Sequence, residues 1–396
     1  MKKNAISATF NKRLGFAPLW ACNQKCSFCA KGSPPPGVKA SLSTAEALAV
    51  LSKARREGYD FLSIDGGEPT LRRDLPELVS AAARMGYGML AITTNAVALA
   101  DGKMVNEFLR RLNPPGCLGF CVSLHSHLAG VSEKLTRAPG TFEKTLSGVR
   151  AIDRAGFNFS FYFVITTLNF RSIPRYADFI IKNFPRANAV TFSYIFPSSN
   201  LGAEALDLYP RISPTSPYLA KAAGILEAAG INTFLGSCGV VPLCLMRGTE
   251  QLFLDTSKMA GSEFMTFDTQ RMAPFPFFDN AFNRQNRTKG PACAKCFINR
   301  ACNGVWNFYA EKFGFSELRP FTGAYFRRLP RAPGTAALDL TGCLKSPDPE
   351  TLAMINVIDL RYRGFSSLRL VNADALGGGG WRLAAFARKA GFKIIH

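Results

Sequence analysis

Short apolar runs alternate with amphipathic stretches from residue 14 to about 236 of this chain. Runs of strand length fall near 14–20, 60–65, 88–93, 118–124, 158–166 and 188–195. Between them, apolar positions recur at helical spacing near 43–57, 74–85, 101–112, 141–155 and 173–183, and a further helix is predicted near 215–229. Thr44, Asp101 and Thr141 stand at or beside helix starts, where a side-chain oxygen can satisfy free N–H groups. Gly58, Gly86 and Gly156 stand where helices stop, a place that favours left-handed backbone. Strand–helix alternation of this kind predicts right-handed crossovers and a parallel sheet of the α/β class.

From about 237 the texture changes to a long irregular stretch rich in Phe, Met, Pro and Asn. Regular patterning returns near 335, with strands predicted at 337–341 and 367–371 and helices near 349–362 and 380–390. The string Gly377–Gly380 reads as a flexible hinge, since it lacks the Lys-Ser/Thr of a phosphate loop. Three domains are therefore expected: 1–236, 237–334, and a small α/β unit at 335–396 serving as lid, dimer contact or partner-binding unit.

Composition adds limits. With 47% hydrophobic and 12% aromatic residues the chain can bury a large core, which excludes a disordered or fibrous protein. Lys and Arg outnumber Asp and Glu by 48 to 28, a formal net charge of +20. The basic doublets are scattered, with no long run of the kind that grips nucleic acid, so the charge suits an anionic substrate or cofactor better. No segment reaches the ~18 uninterrupted apolar residues of a membrane helix. A cytoplasmic protein without a membrane partner is expected.

The cysteines carry the chemistry. There are eleven, an odd count that argues against a disulfide framework. Cys22, Cys26 and Cys29 form one short-spaced group, and Cys293, Cys296 and Cys302 form another. Close spacing lets one loop wrap a metal centre at little closure cost. The first group offers three thiolates and no nearby histidine, whereas a structural zinc site wants four closed ligands. A cubane iron–sulfur cluster held by three cysteines keeps one iron open. Downstream, an apolar run ends in Asp65-Gly66-Gly67-Glu68-Pro69, glycines at a strand end followed by a carboxylate able to accept hydrogen bonds from an ammonium group.

Together, Cys22-x3-Cys26-x-Phe28-Cys29 and Gly66-Gly67-Glu68-Pro69 resemble the CxxxCxΦC and GGEP motifs of the radical S-adenosylmethionine (radical SAM) superfamily. The resemblance covers roughly residues 14–320. It implies a partial (β/α)6 TIM-type barrel and a [4Fe-4S] cluster on Cys22, Cys26 and Cys29 whose open iron chelates S-adenosylmethionine. It implies that Phe28, Gly66, Gly67, Glu68 and Pro69 line the cofactor pocket. Asn95, Ser123 and Arg137 fall where related enzymes place further cofactor contacts. Each also has a plain structural reading: Asn95 as a turn cap, Arg137 as a helix-end cation. His125 could move a proton near the substrate or could be a hydrogen-bonded core residue, the reading preferred for His127. Cys121 is expected inside the barrel as a small hydrophobe.

Cys244 with Cys293, Cys296 and Cys302 supplies four thiolates, enough for a second [4Fe-4S] cluster. This resembles the auxiliary-cluster extensions of SPASM or twitch type. It departs from a full SPASM pattern, because Trp306 stands where a further cysteine is expected. A four-cysteine zinc knuckle is the alternative. Residues 284–331 carry ten Lys/Arg against Glu311 and Glu317, which would offset an anionic cluster. Cys238 could replace Cys244, or Cys343 could reach in.

The function the resemblance implies is reductive cleavage of S-adenosylmethionine to a 5′-deoxyadenosyl radical. That radical takes hydrogen from an unactivated carbon, while the auxiliary cluster accepts an electron or anchors substrate. An electron donor such as flavodoxin or ferredoxin is implied. Cys22 leaves little chain ahead of it for a leader-binding domain, which tilts the expectation to a small metabolite or natural-product precursor over a ribosomally made peptide. The competing class is a non-catalytic metal protein that binds RNA through its basic face; a steep salt dependence of RNA binding would mark it.

Overall fold

The structure is a computed structural model that describes residues 12–34, 36–100, 102–112, 117–197, 201–236, 241–250, 252, 263–270, 272–274, 285–345 and 348–395. The chain divides into two compact units, one built from residues 1–210, 217–239 and 264–275, the other from 211–216, 240–263 and 276–396.

The first unit alternates strands β1 (Lys12–Phe16), β2 (Phe61–Ile64), β3 (Met89–Thr94), β4 (Leu118–Ser123), β5 (Asn158–Ile165), β6 (Ala189–Tyr194) and β7 (Asn232–Leu235) with helices. The main helices are α1 (Thr44–Arg56), α2 (Leu75–Arg84), α3 (Gly102–Arg111), α4 (Ala129–Thr136), α5 (Phe142–Arg154), α6 (Ile173–Asn183), α7 (Ala203–Asp207) and α8 (Ser216–Ala228). Every neighbouring pair from β1 to β7 is parallel. The sheet runs in sequence order from β7 to β1 and continues into the hairpin β8 (Glu263–Phe267) and β9 (Met272–Pro274). This is a partial TIM-type barrel of the α/β class.

Six predicted strands and six predicted helices lie within a few residues of observed ones. The first strand stops at Phe16, before Pro18, whose missing N–H cannot serve a ladder. Helices α4 and α7 and strands β7 to β9 were not expected; α4, α7 and β7 are short, with too few periodic positions to stand out. The cap of α1 is Ser43, one residue before Thr44, in a reciprocal box with Glu46. Thr141 precedes α5, but its hydroxyl donates to the Ala138 carbonyl instead. Asp101 lies outside the described residues. Gly58, Gly86 and Gly156 all have positive φ, as helix ends require.

Strand alternation sorts the side chains into two faces. Leu62, Ile64, Leu90, Ile92, Phe120, Val122, Phe161 and Phe163 are at most 2% exposed and pack under the helices. The opposite face carries Ser63, Ala91, Thr93, Gly119, Cys121 and Ser123 along its centre, with Phe61 and Met89 at one end. Cys121 lies on this inner face and is half-buried, as expected.

In the second unit, the short antiparallel pair β10 (Arg287–Thr288) and β11 (Val305–Trp306) is followed by α9 (Asn307–Phe313) and α10 (Gly323–Arg328). Then β12 (Thr335–Asp339), β13 (Ser367–Val371) and β14 (Lys393–Ile395) form a parallel sheet in sequence order, linked by α11 (Pro349–Tyr362) and α12 (Gly379–Ala390). The expected division at residue 334 is not observed. Leu243, Ile298 and Phe321 share one apolar core with Leu340, Val357, Leu368 and Leu383, and Phe297 stacks on Phe386 at 4.6 Å. Burying those faces in common removes the need for a separate small core. Nor is the glycine string a hinge: Gly379 and Gly380 open a helix, and a Cβ on Gly380 would lie 2.5 Å from the Ala373 carbonyl oxygen.

Candidate functional site

The three-cysteine loop is hung on two neighbours. The backbone N–H groups of Lys25 and Ser27 donate to the Thr136 and Leu135 carbonyls, both at 2.9 Å. Those are carbonyls of the last turn of α4, which lack partners inside their own helix. At its other end, residues 19–21 are clamped by the glycine turn. Gly67 N–H donates to the Leu19 carbonyl at 2.9 Å and Glu68 N–H to the Ala21 carbonyl at 2.7 Å. A Cβ on Gly67 would lie 2.0 Å from the Ala21 oxygen, and one on Gly66 would lie 2.6 Å from the Leu19 oxygen. Gly66 also has φ +118°. The two glycines are thus required by the close approach of the cysteine loop's own backbone, where sequence reading placed a ligand.

Glu68 is 1% exposed. Its Oε1 accepts from Thr70 N–H (3.0 Å), Thr70 Oγ1 (2.6 Å) and Thr94 Oγ1 (2.6 Å), and its Oε2 accepts from Asn95 N–H (2.7 Å). Burial raises its carboxyl pKa, and the bond from Asn95 N–H leads those that pull it down. The carboxylate therefore ties β2 to the end of β3, and Pro69 follows it as the first residue of a short 3-10 turn. Replacing Glu68 with Gln sets an amide donor against these N–H and O–H donors. Glu68→Gln is expected to cost about 2–3 kcal/mol, read as a lower denaturation midpoint with loss of iron from the first site.

Asn95 is brought to the cysteine loop. Its Nδ2 donates to Asn23 Oδ1 at 2.7 Å and reaches Cys22 Sγ at 3.8 Å, while Oδ1 accepts from Val97 N–H. It both caps a turn and touches a candidate ligand. Cys22 and Cys29 are exposed and Cys26 is half-buried. Burial, with Cys29 and Cys22 nearby, pushes the Cys26 thiol up to about 12. A cationic iron centre would reverse that preference and hold the thiolate. The Gln24 N–H already donates to Cys22 Sγ at 3.4 Å, a bond that favours the thiolate. The donor set fits a three-thiolate cluster.

His125 is 3% exposed, its Nδ1 accepts from Val164 N–H at 3.1 Å, and its ring meets Phe28 edge-on at 4.8 Å. Burial holds its pKa down at about 3. The imidazole is held in its neutral form and ties the end of β4 to β5, which fits the reading of a hydrogen-bonded core residue. Unfolding raises its proton affinity, so the stability it contributes is present above about pH 6.5 and declines as pH falls towards 3. Denaturation midpoints should follow that slope between pH 6.5 and 4 in the wild type, and His125→Phe should flatten it.

Arg137 ends α4 in left-handed backbone with φ +50° and pairs with Glu204 on the surface. It is half-exposed, which fits a helix-end cation better than a cofactor contact. Ser123, at the end of β4, is half-buried beside Tyr162 of β5 on the inner face. His127 is half-buried, its ring 6.5 Å from that of Phe179.

In the second unit, Cys244, Cys293, Cys296 and Cys302 line one small pocket with Lys289, Ile298 and Phe321. Among the described residues, no three His, Cys, Asp or Glu side chains close on one point as around a single metal ion. Burial pushes the Cys244 thiol up to about 12. The Gly304 N–H donates to Cys302 Sγ at 3.3 Å, repeating the Gln24–Cys22 geometry. The Lys289 ammonium donates to Asn299 and favours the Cys302 thiolate. Cys343 is buried elsewhere in the core, with Asn356 Nδ2 at 3.8 Å, and Cys238 lies outside the described residues.

Sequence reading missed Asn23, Gln24 and Thr70, whose roles depend on hydrogen bonds that local pattern does not encode. It also missed the group around Asp65. There Lys31 Nζ lies 4.5 Å from the centroid of Trp20, and Trp20 Nε1 donates to Thr269. The abutment of Asp65 on the glycine pair was the available signal.

A three-cysteine loop seated on a parallel barrel and clamped by a GGEP turn defines a radical SAM domain. Residues 21–180 match the family model described as "Radical SAM superfamily", and the chain carries that domain. Such a domain implies a [4Fe-4S] cluster and S-adenosylmethionine. A protein named Probable GTP 3′,8-cyclase from Saccharolobus solfataricus is 28% identical over 188 residues, 48% of this chain and 53% of that protein. The Fe-coproporphyrin III synthase of Methanosarcina barkeri is 30% identical over 189 residues, 47% of this chain and 45% of that protein. The chain thus spans about half the length of the curated relatives it matches. Streptococcus suis SuiB bound to its precursor peptide SuiA has a similar fold, with TM-score 0.56 and 18% identity over 79% of this chain and 75% of that one. Hexahistidine-tagged anSMEcpe with bound AdoMet has TM-score 0.54 and 12% identity over 96% of this chain and 98% of that one. Among the described residues, no helix is long and apolar enough to cross a membrane.

Proposed function

We propose that this protein is a radical SAM enzyme whose second unit holds an auxiliary [4Fe-4S] cluster on Cys244, Cys293, Cys296 and Cys302. Cys22, Cys26 and Cys29 would hold the first cluster, which when bound would supply the electron for reductive cleavage of S-adenosylmethionine, the source of the radical that takes hydrogen from a substrate carbon. The chain's own part is positional. The α4 carbonyls and the glycine turn fix the cysteine loop, Asn95 steadies Cys22, and Phe28 against His125 keeps water from beneath the loop. The observation that carries the second cluster is the ring of four thiols about one cavity, with an N–H to sulfur bond repeated from the first site. A cubane takes thiolates at its corners, which suits a cavity lining better than a single zinc centre does.

The names of its sequence relatives, a probable GTP 3′,8-cyclase and an Fe-coproporphyrin III synthase, favour a small metabolite as substrate. The fold shared with SuiB in complex with its precursor peptide supports peptide modification as a second reading. Iron, sulfide and zinc per chain after anaerobic reconstitution test the proposal, alongside 5′-deoxyadenosine formed under reduction. About eight irons with matching sulfide support both clusters. About four irons and one zinc would overturn the auxiliary cluster, and absence of 5′-deoxyadenosine would overturn the enzyme.

A further inference from the structure

The inner wall of the barrel has a chemistry that the motifs do not assign. Asp65 directly follows β2 and shares the inner parity of Ser63; its Oδ2 lies 3.6 Å from where a Gly15 Cβ would be. It is half-buried, and among the described residues its carboxylate makes no hydrogen bond. Burial raises its pKa to about 6, and Lys31 opposes the rise. Along the same face run Thr93, Cys121 and Ser160, paired in register, and then Ser123 beside Tyr162. The Tyr162 hydroxyl and Ser193 both lie within 3.0 Å of where a Gly236 Cβ would stand, so they point to one place. On the inner positions of β1 to β6 the basic side chain is Arg13, at the amino-terminal end, with its guanidinium 5.2 Å from the centroid of Phe61. Apart from Lys31, whose charge faces Asp65, the described residues of the wall lack the cluster of Arg or Lys that a phosphate-bearing group needs, and most of the net charge of +20 lies elsewhere.

We infer that the part of the substrate entering this barrel bears hydroxyl groups and no phosphate, and that Asp65 accepts a hydrogen bond from it. The inference rests on the radical SAM reading above. It turns the expectation of an anionic substrate, drawn from overall charge, into its opposite for the reacting end. Hydroxyls on a saturated carbon could come from a sugar or from a Ser or Thr side chain, and the wall suits both.

The test uses the full reconstituted protein with S-adenosylmethionine at pH 8, where Asp65 is ionised. Equilibrium dialysis measures retention of radiolabelled methyl glucoside and of N-acetylserinamide, with tripolyphosphate as competitor. Saturable retention of either probe, unchanged by tripolyphosphate and at least tenfold weaker in Asp65→Asn, is expected. The probe retained identifies the source. Asp65→Glu should recover part of the loss, and equal iron content in both variants excludes misfolding. Displacement by tripolyphosphate, retention of neither probe, or binding unaffected in Asp65→Asn would overturn the inference. The wild type's 5′-deoxyadenosine yield separates the cases: its absence sinks the enzyme reading, whereas its presence with triphosphate binding sinks the substrate class alone.

Discussion

Cys26→Ala is expected to abolish 5′-deoxyadenosine formation, by at least about a thousandfold, while leaving about half the iron in place. Cys26 is the most buried of its trio, and burial above all, with the Cys29 and Cys22 thiols adding to it, pushes its own thiol up to about 12. Removing it leaves Cys22 and Cys29 on an exposed loop, too few to hold a cubane whose fourth iron must stay open. Cys296→Ala should do the converse: the second site loses its iron, and reductive cleavage of S-adenosylmethionine persists at the first. Metal analysis and anaerobic turnover on both variants read the two outcomes together. A Cys26→Ala protein that still carries about eight irons would show that another residue completes the first site.

Gly67→Ala should be nearly as damaging without touching a ligand. The added methyl would lie 2.0 Å from the Ala21 oxygen and 2.6 Å from both the Ala21 carbonyl carbon and the Trp20 oxygen. All three are backbone atoms, so no rotamer change relieves the clash, and the segment leading into Cys22 must move. A cost of about 4 kcal/mol or more is expected, seen as a lowered denaturation midpoint and failure to load the first cluster. Gly224→Ala is the contrast. Gly224 lies inside α8 with nothing within 4 Å of its Cβ position, so the change should stabilise by about 0.5–1 kcal/mol. Equal effects in the two variants would show that the clamp is not what fixes the loop.

The helices and most strands of the barrel were legible because each declares itself locally. Six strands bury one face under helices, and the resulting period of two survives in the sequence as surely as the helical period of α2 or α5 does. Elements with few periodic positions, α4 and β7, were not legible. The candidate ligands were legible for a different reason: thiolates around one centre come close in sequence when one loop supplies them. Cys244 joined its trio by counting alone, and the cavity it lines with them is a tertiary fact.

By itself the sequence determined the α/β alternation, the three-cysteine loop and the turn that follows β2, since these depend on spacing and residue type. Only the tertiary structure decided how they are used. It showed that Gly66 and Gly67 admit the chain's own backbone, that Glu68 braces β3, and that His125 accepts a hydrogen bond from β5. It also merged the last sixty residues or so into a shared core and sorted Asp65 from the exterior charge. Each of these rests on contacts between segments far apart in the chain, which local pattern does not encode. Burial then sets the chemistry of such groups, because the free energy of a charge depends on what surrounds it rather than on its neighbours in sequence.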